Sequence, residues 1–516
     1  MAIQIDMFEV QLGAGLLMQF DAPDGCVRVL ADAGVHASGY AKDHVKKKLP
    51  AAFTAMGDAR LRIDLIIGTH YDADHLHGLP PIISDSAYEI GEVWLPPVAN
   101  DTQLHAFDGL PGDADLLPLQ LKGDDSGEVL KRYLGVKADI CDNVRALEER
   151  AGSDHKAHRF AKRDGRAFDP DRAEPLQWRD FFVEHRNEAR ALIGEAGSSH
   201  ADIDFDDQSE PLSKAELEDV RYYRYFDEDQ DFGRIWASKS GLAFTQGLSL
   251  AHIRKRAADD AIKALALDAV VTAARARNVT IRCAIIPDGT PRRFVWSKAD
   301  KRFEPNENGR SDGPVLTLLG PSQALVKKHW DKLPLGDYLA KVAFTAVPLK
   351  GISASNELSY VCLLESEEQR VLVTGDAGFV DFKPKRSDPF FPKLIDALKS
   401  LHVVQVAHHG GRNHSFYNGL LEAREKGGVG ETYLLLSHAV QDAKRPSDVF
   451  GLYIAQVRTA ENTPKLLFTS EPKLTNVKDF TALIAPVAGQ KAEKGDVRLK
   501  FAGDGWRVLA HSVSVA

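Results

Sequence analysis

The sequence predicts an α/β protein in which a sheet-rich fold is interrupted by a mostly helical insertion. Two observations lead to this prediction. Short apolar runs bounded by turn residues recur near both ends of the chain, which is typical of buried strands. Between them, a highly charged region with helical spacing replaces the strand pattern. We therefore divide the 516 residues into a first sheet-rich part at 1–97, the insertion at 98–280 and a second sheet-rich part at 281–516.

The first part alternates strand patterns with one helical pattern. FEVQLGAGLLMQFDAP and CVRVLADAG are typical of paired strands with a turn at APDG. AKDHVKKKLPAAFTAM predicts one or two helical segments. The apolar run LRIDLIIGTH predicts a buried strand that Gly68 closes, with Thr69 and His70 directly after it. YEIGEVWLPP is the next strand candidate.

The insertion at 98–280 differs from its surroundings in charge. Residues 201–234 contain twelve acidic and four basic residues. This composition indicates either a solvated face of helices and loops or a surface for a protein partner. Further along, apolar residues recur at helical spacing, at Ile262, Leu265, Ala266, Ala269, Val270 and Ala273. We expect this helix to end near Asn278, where VTIRCAII resumes the strand pattern.

The second part, 281–516, again consists of strands and turns. VLTLLGPS predicts a strand followed by a turn, and LSYVCLLESEEQRVLVTGDAG predicts a hairpin that turns at ESEEQ. SLHVVQVAHHGGRNHS, ETYLLLSH and KLLFTS each contain one strand. DVRLKFAGDGWRVLAHS predicts a final hairpin that turns at AGDG.

The composition is typical of a soluble globular protein, with 44% hydrophobic residues and a net charge of −9. This charge argues against a protein that coats nucleic acid, but it is compatible with a nuclease whose metal ions supply local positive charge. The four cysteines form no C-x-x-C pair, which argues against cysteine-bound zinc and fits a reducing compartment. Because the sequence shows neither a signal-peptide pattern nor a long apolar run, we expect a cytoplasmic protein without membrane contact.

Ionisable residues cluster at the C-terminal ends of three predicted strands. The first cluster lies in THYDADHLHG. The second is Asp376 in VLVTGDAG, and the third is the pair His408 and His409 in VVQVAHHGG. Strands that lie side by side bring such ends together, and converging carboxylates repel one another unless a cation neutralises them. The sequence therefore predicts a site for two divalent ions, zinc or manganese, with magnesium as a further option. The ionisable residues of the first cluster are His70, Asp72, Asp74, His75 and His77.

These motifs resemble those of the metallo-β-lactamase superfamily. THYDADHLHG is similar to its H-x-H-x-D-H motif, VTGDAG to its bridging-aspartate strand, and AHHGG to a downstream histidine motif. The pattern is most similar to the branch that resembles the metallo-hydrolase domain of the DNA-uptake protein ComEC, in which the second histidine is typically aspartate, as at Asp72. FEVQLGAGLLMQF, LTLLGPS, NELSYVCLL and GDVRLKFAGDGWRV support the likeness, which covers about 1–97 and 281–510 and leaves the insertion outside.

The resemblance implies an αββα sandwich, with two mixed sheets face to face, helices outside and metals at one edge. Many superfamily members carry a further histidine before the central hairpin, where this chain has Asn356. Because an amide is a weak ligand, this departure would favour manganese or magnesium over zinc, or a single tightly bound metal. The resemblance also implies a ligand set: His70 and Asp72 for one metal, Asp74 and His75 for the other, Asp376 as the bridge, and His408 or His409 to complete a shell.

The expected activity is metal-dependent hydrolysis, and the leading hypothesis is a phosphodiesterase or nuclease that acts on nucleic acid or a nucleotide. Asp74 would orient the attacking water and accept its proton. His409, if it is not a ligand, would donate a proton to the leaving oxygen or bind phosphate. Two other hypotheses stay open. One is hydrolysis of a small-molecule ester, thioester or amide, and the other is a non-catalytic protein with structural metals that binds a partner through its insertion.

Several residues have two interpretations at this stage. Asp72 and its neighbours could form a helix N-cap cluster instead of a metal site. His77, His414 and His438 could be ordinary packed histidines or could lie near the site. Arg445 could contact a phosphate together with Lys444, or the two could form a solvated pair.

Basic stretches also have two interpretations. They could line a nucleic-acid groove, with Phe294 and Trp296 stacked on bases, or they could be ordinary surface charge. These stretches lie at 44–48, 291–302 and 383–386.

Overall fold

Two eight-stranded mixed sheets and several helices make up the described part of the chain, which confirms the predicted α/β class. The acidic stretch at 201–234 and the rest of 98–265 lie outside the described residues, so the predicted insertion is seen only in its last part. The computed structural model describes residues 2–97, 266–330 and 354–510, with gaps at 12, 23–24, 35–40, 268, 307–310, 312, 385–387, 428–432, 439–444, 459–463, 471–494 and 504.

The first sheet combines strands from both sheet-rich parts of the sequence. Its strands are β1 (Ile3–Met7), β2 (Leu16–Ala22), β3 (Gly25–Ala31), β4 (Arg62–Ile67), β5 (Glu89–Trp94), β6 (Thr280–Arg282), β15 (Val497–Phe501) and β16 (Trp506–Ala510). They lie in the order β16-β15-β1-β2-β3-β4-β5-β6. Pairing is antiparallel from β16 to β3 and parallel from β3 to β6. The parallel pairs need crossover connections, and a helix at His44–Met56 supplies the one between β3 and β4.

The second sheet contains the strands that precede the later motifs. They are β7 (Arg292–Ser297), β8 (Arg302–Pro305), β9 (Val315–Gly320), β10 (Val361–Ser366), β11 (Gln369–Val373), β12 (Val403–Gln405), β13 (Tyr433–Leu436) and β14 (Lys465–Phe468). Their order is β14-β13-β12-β11-β10-β9-β7-β8. The strands from β14 to β11 are parallel, and those from β11 to β8 are antiparallel. The parallel strands therefore end at one edge of the sheet, where Asp376 follows β11, His408 and His409 follow β12, and His438 follows β13.

Most predicted strands are present, with two differences. The segment FEVQLGAG is not a strand, because the chain turns after β1 and the Phe8 N–H donates to the Gly15 carbonyl at 2.9 Å. The basic stretch at 291–302 forms the hairpin of β7 and β8, which the sequence analysis did not predict. This hairpin belongs to the sheet because Phe294 and Phe303 are buried in the core.

Helices cover the sheets. Apolar residues at helical spacing on the first helix, Val45, Leu49 and Phe53, pack on the first sheet. The helix predicted to end near Asn278 is also present, since residues 269–276 are helical. Among the described helices, none combines the length and the apolar character that a membrane crossing needs. The other α-helices of the described residues are α1 (His44–Met56), α2 (Ala73–Leu76), α3 (Leu79–Ile83), α4 (Gln323–Trp330), α5 (Ala354–Glu357), α6 (Pro392–Ala397), α7 (His414–Glu425) and α8 (Asp448–Val457).

Both sheets contribute to one large apolar core. Alternate residues of β2 show the arrangement: Met18 belongs to this core together with Leu363 of the second sheet, whereas Leu17 packs on the other face with Phe53 of α1. Each buried side chain of this size contributes about 1.5–3 kcal/mol to folding. The packing brings the C-terminal ends of parallel strands from both sheets to the same edge of the molecule.

Candidate metal centre

The THYDADHLHG loop begins two residues after β4 and carries the first cluster. His70 and His75 are buried, whereas Asp72 and Asp74 are partly exposed. Asp72 occupies the N-cap position of α2, but its side chain makes no capping hydrogen bond. Instead, an Asp72 carboxylate oxygen lies 3.8 Å from His70 Nε2. The helix-cap interpretation therefore does not account for this carboxylate.

Close backbone contact holds this loop against the end of β3. The Ala33 N–H donates to the His75 carbonyl and the Ala14 N–H donates to the Asp74 carbonyl, each at 3.1 Å. A Cβ added to Gly34 would lie 1.9 Å from the Asp74 carbonyl oxygen. Only glycine leaves room for this close approach of the two backbones. The ADAG segment at 31–34 therefore positions the two candidate ligands Asp74 and His75.

Asp376, three residues beyond β11, lies at the centre of the cluster. Its Oδ1 is 3.4 Å from His75 Nε2, and its Oδ2 is 3.7 Å from His70 Nε2 and 4.0 Å from His408 Nε2. Burial raises the pKa of the Asp376 carboxyl, but the neighbouring imidazoles, led by His408 and His75, outweigh burial and hold the pKa well below its usual range. Asp376 is therefore an ionised, buried carboxylate that faces several imidazole nitrogens.

Two groups of side chains can hold a metal ion, because their ligand atoms lie within 4.8 Å of one another. His70, His75 and Asp376 form the first group, and Asp74, His75 and His409 form the second. Their nitrogen and carboxylate oxygen donors suit zinc, manganese or iron. The structure thus brings together residues from all three clusters of the sequence.

His75 shows that the cluster suits a cation. Its Nε2 atom is buried and makes no hydrogen bond within the described residues. Burial lowers the pKa of His75, but the carboxylates of Asp376 and Asp32 outweigh burial and raise the pKa to about 10. A buried imidazole with this affinity for a proton lies in a negative environment, and a metal ion can take the place of that proton on Nε2.

Asp32 orients His75 and is not among the site residues predicted from the sequence. Its carboxylate is fully buried and lies 2.8 Å from His75 Nδ1. It also accepts hydrogen bonds from the Thr69 N–H and the Thr69 hydroxyl, each at 2.7 Å. A carboxylate on one imidazole nitrogen fixes the ring and leaves the other nitrogen for a metal. The available signal was position, because Asp32 directly follows β3 at the same edge of the sheet.

His408 and His409 lie in a 3₁₀ turn, Ala407–Gly410, that follows β12. Both have left-handed backbone conformations, with φ of 49° and 54°, which are uncommon for non-glycine residues. Burial lowers the pKa of His409 well below its usual range despite the nearby Asp376. His409 is therefore a neutral imidazole with a lone pair available for a metal. Of the pair, only His409 belongs to a metal-binding group of the described residues.

Arg445 lies beside His408. Its side chain is 7% exposed, and its Nη2 lies 2.6 Å from His408 Nε2. The Arg445 carbonyl is 2.9 Å from the Nε2 of the fully buried His438. Arg445 is thus not part of a solvated pair, while Lys444 lies outside the described residues. His438 supports the Arg445 backbone and contributes to neither metal-binding group of the described residues.

The remaining candidate residues are Asn356, His77 and His414. The Asn356 carbonyl accepts hydrogen bonds from the N–H and hydroxyl of Ser359, and that hydroxyl lies 3.4 Å from the Asp376 nitrogen. Asn356 therefore connects to the bridging candidate through Ser359. His77 and His414 are partly exposed and belong to neither metal-binding group found in the described part of the chain.

Two of the basic stretches have structural roles. Phe294 is 1% exposed and packs edge to face on Trp94, with ring centroids 4.8 Å apart, so it cannot stack on a base. Trp296 packs against Phe303. In the stretch at 44–48, each lysine pairs with an acid: Lys46 with Asp85, Lys47 with Asp43 and Lys48 with Asp496. In the basic stretch at 383–386, residues 385 and 386 lie outside the described residues, and Lys383 lies over the Phe390 ring, 4.1 Å from its centroid.

Comparison with known proteins identifies no relative of this chain, so the interpretation of the site depends on its geometry. No protein-family model matches the chain, and a search of curated proteins finds no match.

Proposed function

We propose that the protein is a metal-dependent hydrolase of the metallo-β-lactamase superfamily, in the branch that resembles the ComEC hydrolase domain, and that it cleaves phosphodiester bonds in nucleic acid or a nucleotide. One observation carries the proposal: Asp376 and His409 of the second sheet converge with His70, Asp74 and His75 of the first. Open α/β sheets bind ligands at the C-terminal ends of parallel strands, which is where these residues meet. The two sheets with outer helices support an αββα sandwich.

In this proposal two divalent ions bind at the cluster. Their imidazole ligands favour zinc or manganese, whereas magnesium prefers sites built from oxygen alone. When bound, such ions lower the pKa of a water molecule and stabilise negative charge on the attacking and leaving oxygens. The proposed ligands are His70, Asp72, Asp74, His75, Asp376 and His409.

The side chains have separate tasks in the proposed reaction. Asp74 is partly exposed and shares a ligand group with His75 and His409, so its carboxylate can orient the attacking water and accept its proton. His409 is neutral because burial lowers its pKa, which fits a ligand better than a proton donor. Asp32 fixes the ring of His75 through its contact with Nδ1.

Hydrolysis of bis-p-nitrophenyl phosphate with added Mn²⁺, Zn²⁺ or Mg²⁺ tests the proposal. We expect cleavage that EDTA abolishes and that falls to background in Asp376→Asn and Asp74→Asn. The matched control is Asp396→Asn. Asp396 is 61% exposed, its carboxylate lies 2.7 Å from Lys399 Nζ, and it belongs to neither metal-binding group of the described residues. The control variant should keep the activity of the unmodified protein.

Other outcomes of the same assay would support the competing hypotheses. Cleavage of p-nitrophenyl acetate without cleavage of the phosphodiester would favour an esterase. Tight metal binding without cleavage of either compound would favour a non-catalytic protein. A screen of single-stranded DNA, duplex DNA, RNA and cyclic nucleotides then identifies the substrate class. A protein partner at the insertion stays a prediction, because residues 98–265 lie outside the described part of the chain.

A further inference from the structure

Arg445 is fixed in place by contacts that attach its loop to the histidine turn. The Ser447 N–H donates to the Gly410 carbonyl at 2.8 Å. A Cβ on Gly410 would lie 3.0 Å from Pro446 Cβ, so the loop and the turn pack closely. On the other side, His438 holds the Arg445 carbonyl through Nε2 and lies 3.2 Å from the Ser470 hydroxyl through Nδ1. The guanidinium therefore extends from a well-supported backbone.

The hydrogen bond between Arg445 and His408 can have only one direction. A guanidinium donates hydrogen bonds and cannot accept them, so His408 Nε2 accepts from Arg445 Nη2 at 2.6 Å. The lone pair of His408 Nε2 is thus used to hold the guanidinium. Of the two histidines, His409 belongs to a metal-binding group within the described residues and His408 does not.

The charge of Arg445 matters because of where it lies. Its partner His408 is 4.0 Å from Asp376 Oδ2, at the centre of the candidate metal centre. Once Asp376 is committed to metal ions, the guanidinium adds its positive charge to theirs. A ligand with a negative charge is attracted there by both the bound ions and the guanidinium. A neutral ester would not supply that charge, whereas a phosphodiester would.

We propose that Arg445 is the substrate-binding residue of this site, that its guanidinium binds a non-bridging oxygen of an anionic phosphodiester, and that His408 positions it. This inference rests on the proposed function and specifies its substrate as an anion. Arginine suits the task because its planar fork of donors matches the oxygens of phosphate. The residue thereby selects phosphodiesters over neutral esters.

Inorganic phosphate and bis-p-nitrophenyl phosphate are the probes for this inference, with the metal-loaded full chain. In Arg445→Gln, we expect the dissociation constant for phosphate, measured by calorimetry, and the KM for the phosphodiester to rise about 10- to 100-fold. Bound metal, measured by elemental analysis, should not change. Arg445→Lys keeps the charge without the fork and should recover part of the loss.

The control is Arg412→Gln, which removes a positive charge from the loop after the histidine turn. Arg412 is 42% exposed and pairs with Asp448 at 3.1 Å, so its loss should leave phosphate binding unchanged. Phosphate binding to Arg445→Gln with unchanged affinity would overturn the inference. If Arg445→Gln does not fold, phosphate affinity in Arg445→Lys equal to that of the unmodified protein would overturn the claim that the planar guanidinium of Arg445 recognises phosphate.

His408→Ala separates a positioning residue from a metal ligand. We expect this variant to retain its bound metal and to bind phosphate more weakly, and loss of metal would overturn the positioning role. The outcomes also distinguish this inference from the proposed function. A protein that binds phosphate through Arg445 but cleaves no phosphodiester would refute only the hydrolase proposal.

Discussion

Replacing Asp32 by asparagine tests how the fold prepares His75 for a metal. Asparagine has nearly the same shape as aspartate, and its amide oxygen can still accept from the Thr69 N–H, which now donates to Asp32 at 2.7 Å. The negative charge beside His75 Nδ1, at 2.8 Å, is lost. An amide NH₂ in that position would instead favour the tautomer with the proton on Nε2, the nitrogen needed by the metal.

The expected effect follows from this one contact. A hydrogen bond to a charged group contributes about 1.5–3 kcal/mol, and 1.4 kcal/mol corresponds to a tenfold change in affinity. We therefore expect Asp32→Asn to weaken Zn²⁺ or Mn²⁺ binding about 10- to 100-fold, as is typical when a carboxylate behind a histidine ligand is changed. Competition with a fluorescent chelator measures the affinity, and ¹⁵N NMR of labelled histidine shows which ring nitrogen carries the proton.

Asp64→Asn is the matched control for this experiment. Asp64 is also almost fully buried in the first sheet and accepts from the Arg28 N–H at 2.8 Å, but it lies outside the metal-binding groups of the described residues. This variant is expected to change the free energy of unfolding without changing metal affinity. Equal metal affinity in Asp32→Asn and the unmodified protein would refute the argument that Asp32 prepares His75.

Three further predictions follow from the same structure. Gly34→Ala should destabilise the fold by about 1–3 kcal/mol and weaken metal binding, because its Cβ would displace the Asp74 carbonyl; chemical denaturation and metal titration measure both. Metal at 100 times its dissociation constant should stabilise the folded protein by about 2.7 kcal/mol, seen as a higher Tm that EDTA reverses. Burial raises the pKa of Glu92 more than Arg282 lowers it. The folded state therefore holds this proton to higher pH than the unfolded state, so stability should fall as pH rises from about 4.5 through the raised pKa, by at most about 1.4 kcal/mol per pH unit, and Glu92→Gln should remove that slope.

Local pattern was enough to predict the main elements near the site. The apolar run before His70 forms β4, and the run before Asp376 forms β11 of a hairpin, since continuous apolar residues are stable only where a strand is buried on both faces. The hydrophobic pattern did not predict the hairpin at 291–302, because basic residues interrupt the apolar residues there. Arg292 and Arg293 directly precede Phe294 in that stretch, and only the packing of Phe294 shows which face is buried.

The site was predicted only in part, and Asp32 and Arg445 show why. Asp32 is the only ionisable residue in VLADAG, and its position after β3 does not identify His75, 43 positions away, as its partner. Arg445 could be paired with Lys444 in sequence, yet its contact is His408, 37 positions away. Interactions of this kind depend on which strands pair, and short motifs do not specify strand pairing.

The sequence by itself determined which residue types gather at strand ends, and thereby which ligand atoms the chain can offer to a metal ion. Imidazoles and carboxylates in THYDADHLHG, VTGDAG and AHHGG indicate a divalent metal wherever they meet. Only the tertiary structure decided that they meet, that His409 rather than His408 joins a metal-binding group in the described chain, and that Arg445 lies against the cluster. The physical reason is that ligand identity is a local property, whereas distance and charge balance depend on how the two sheets pack.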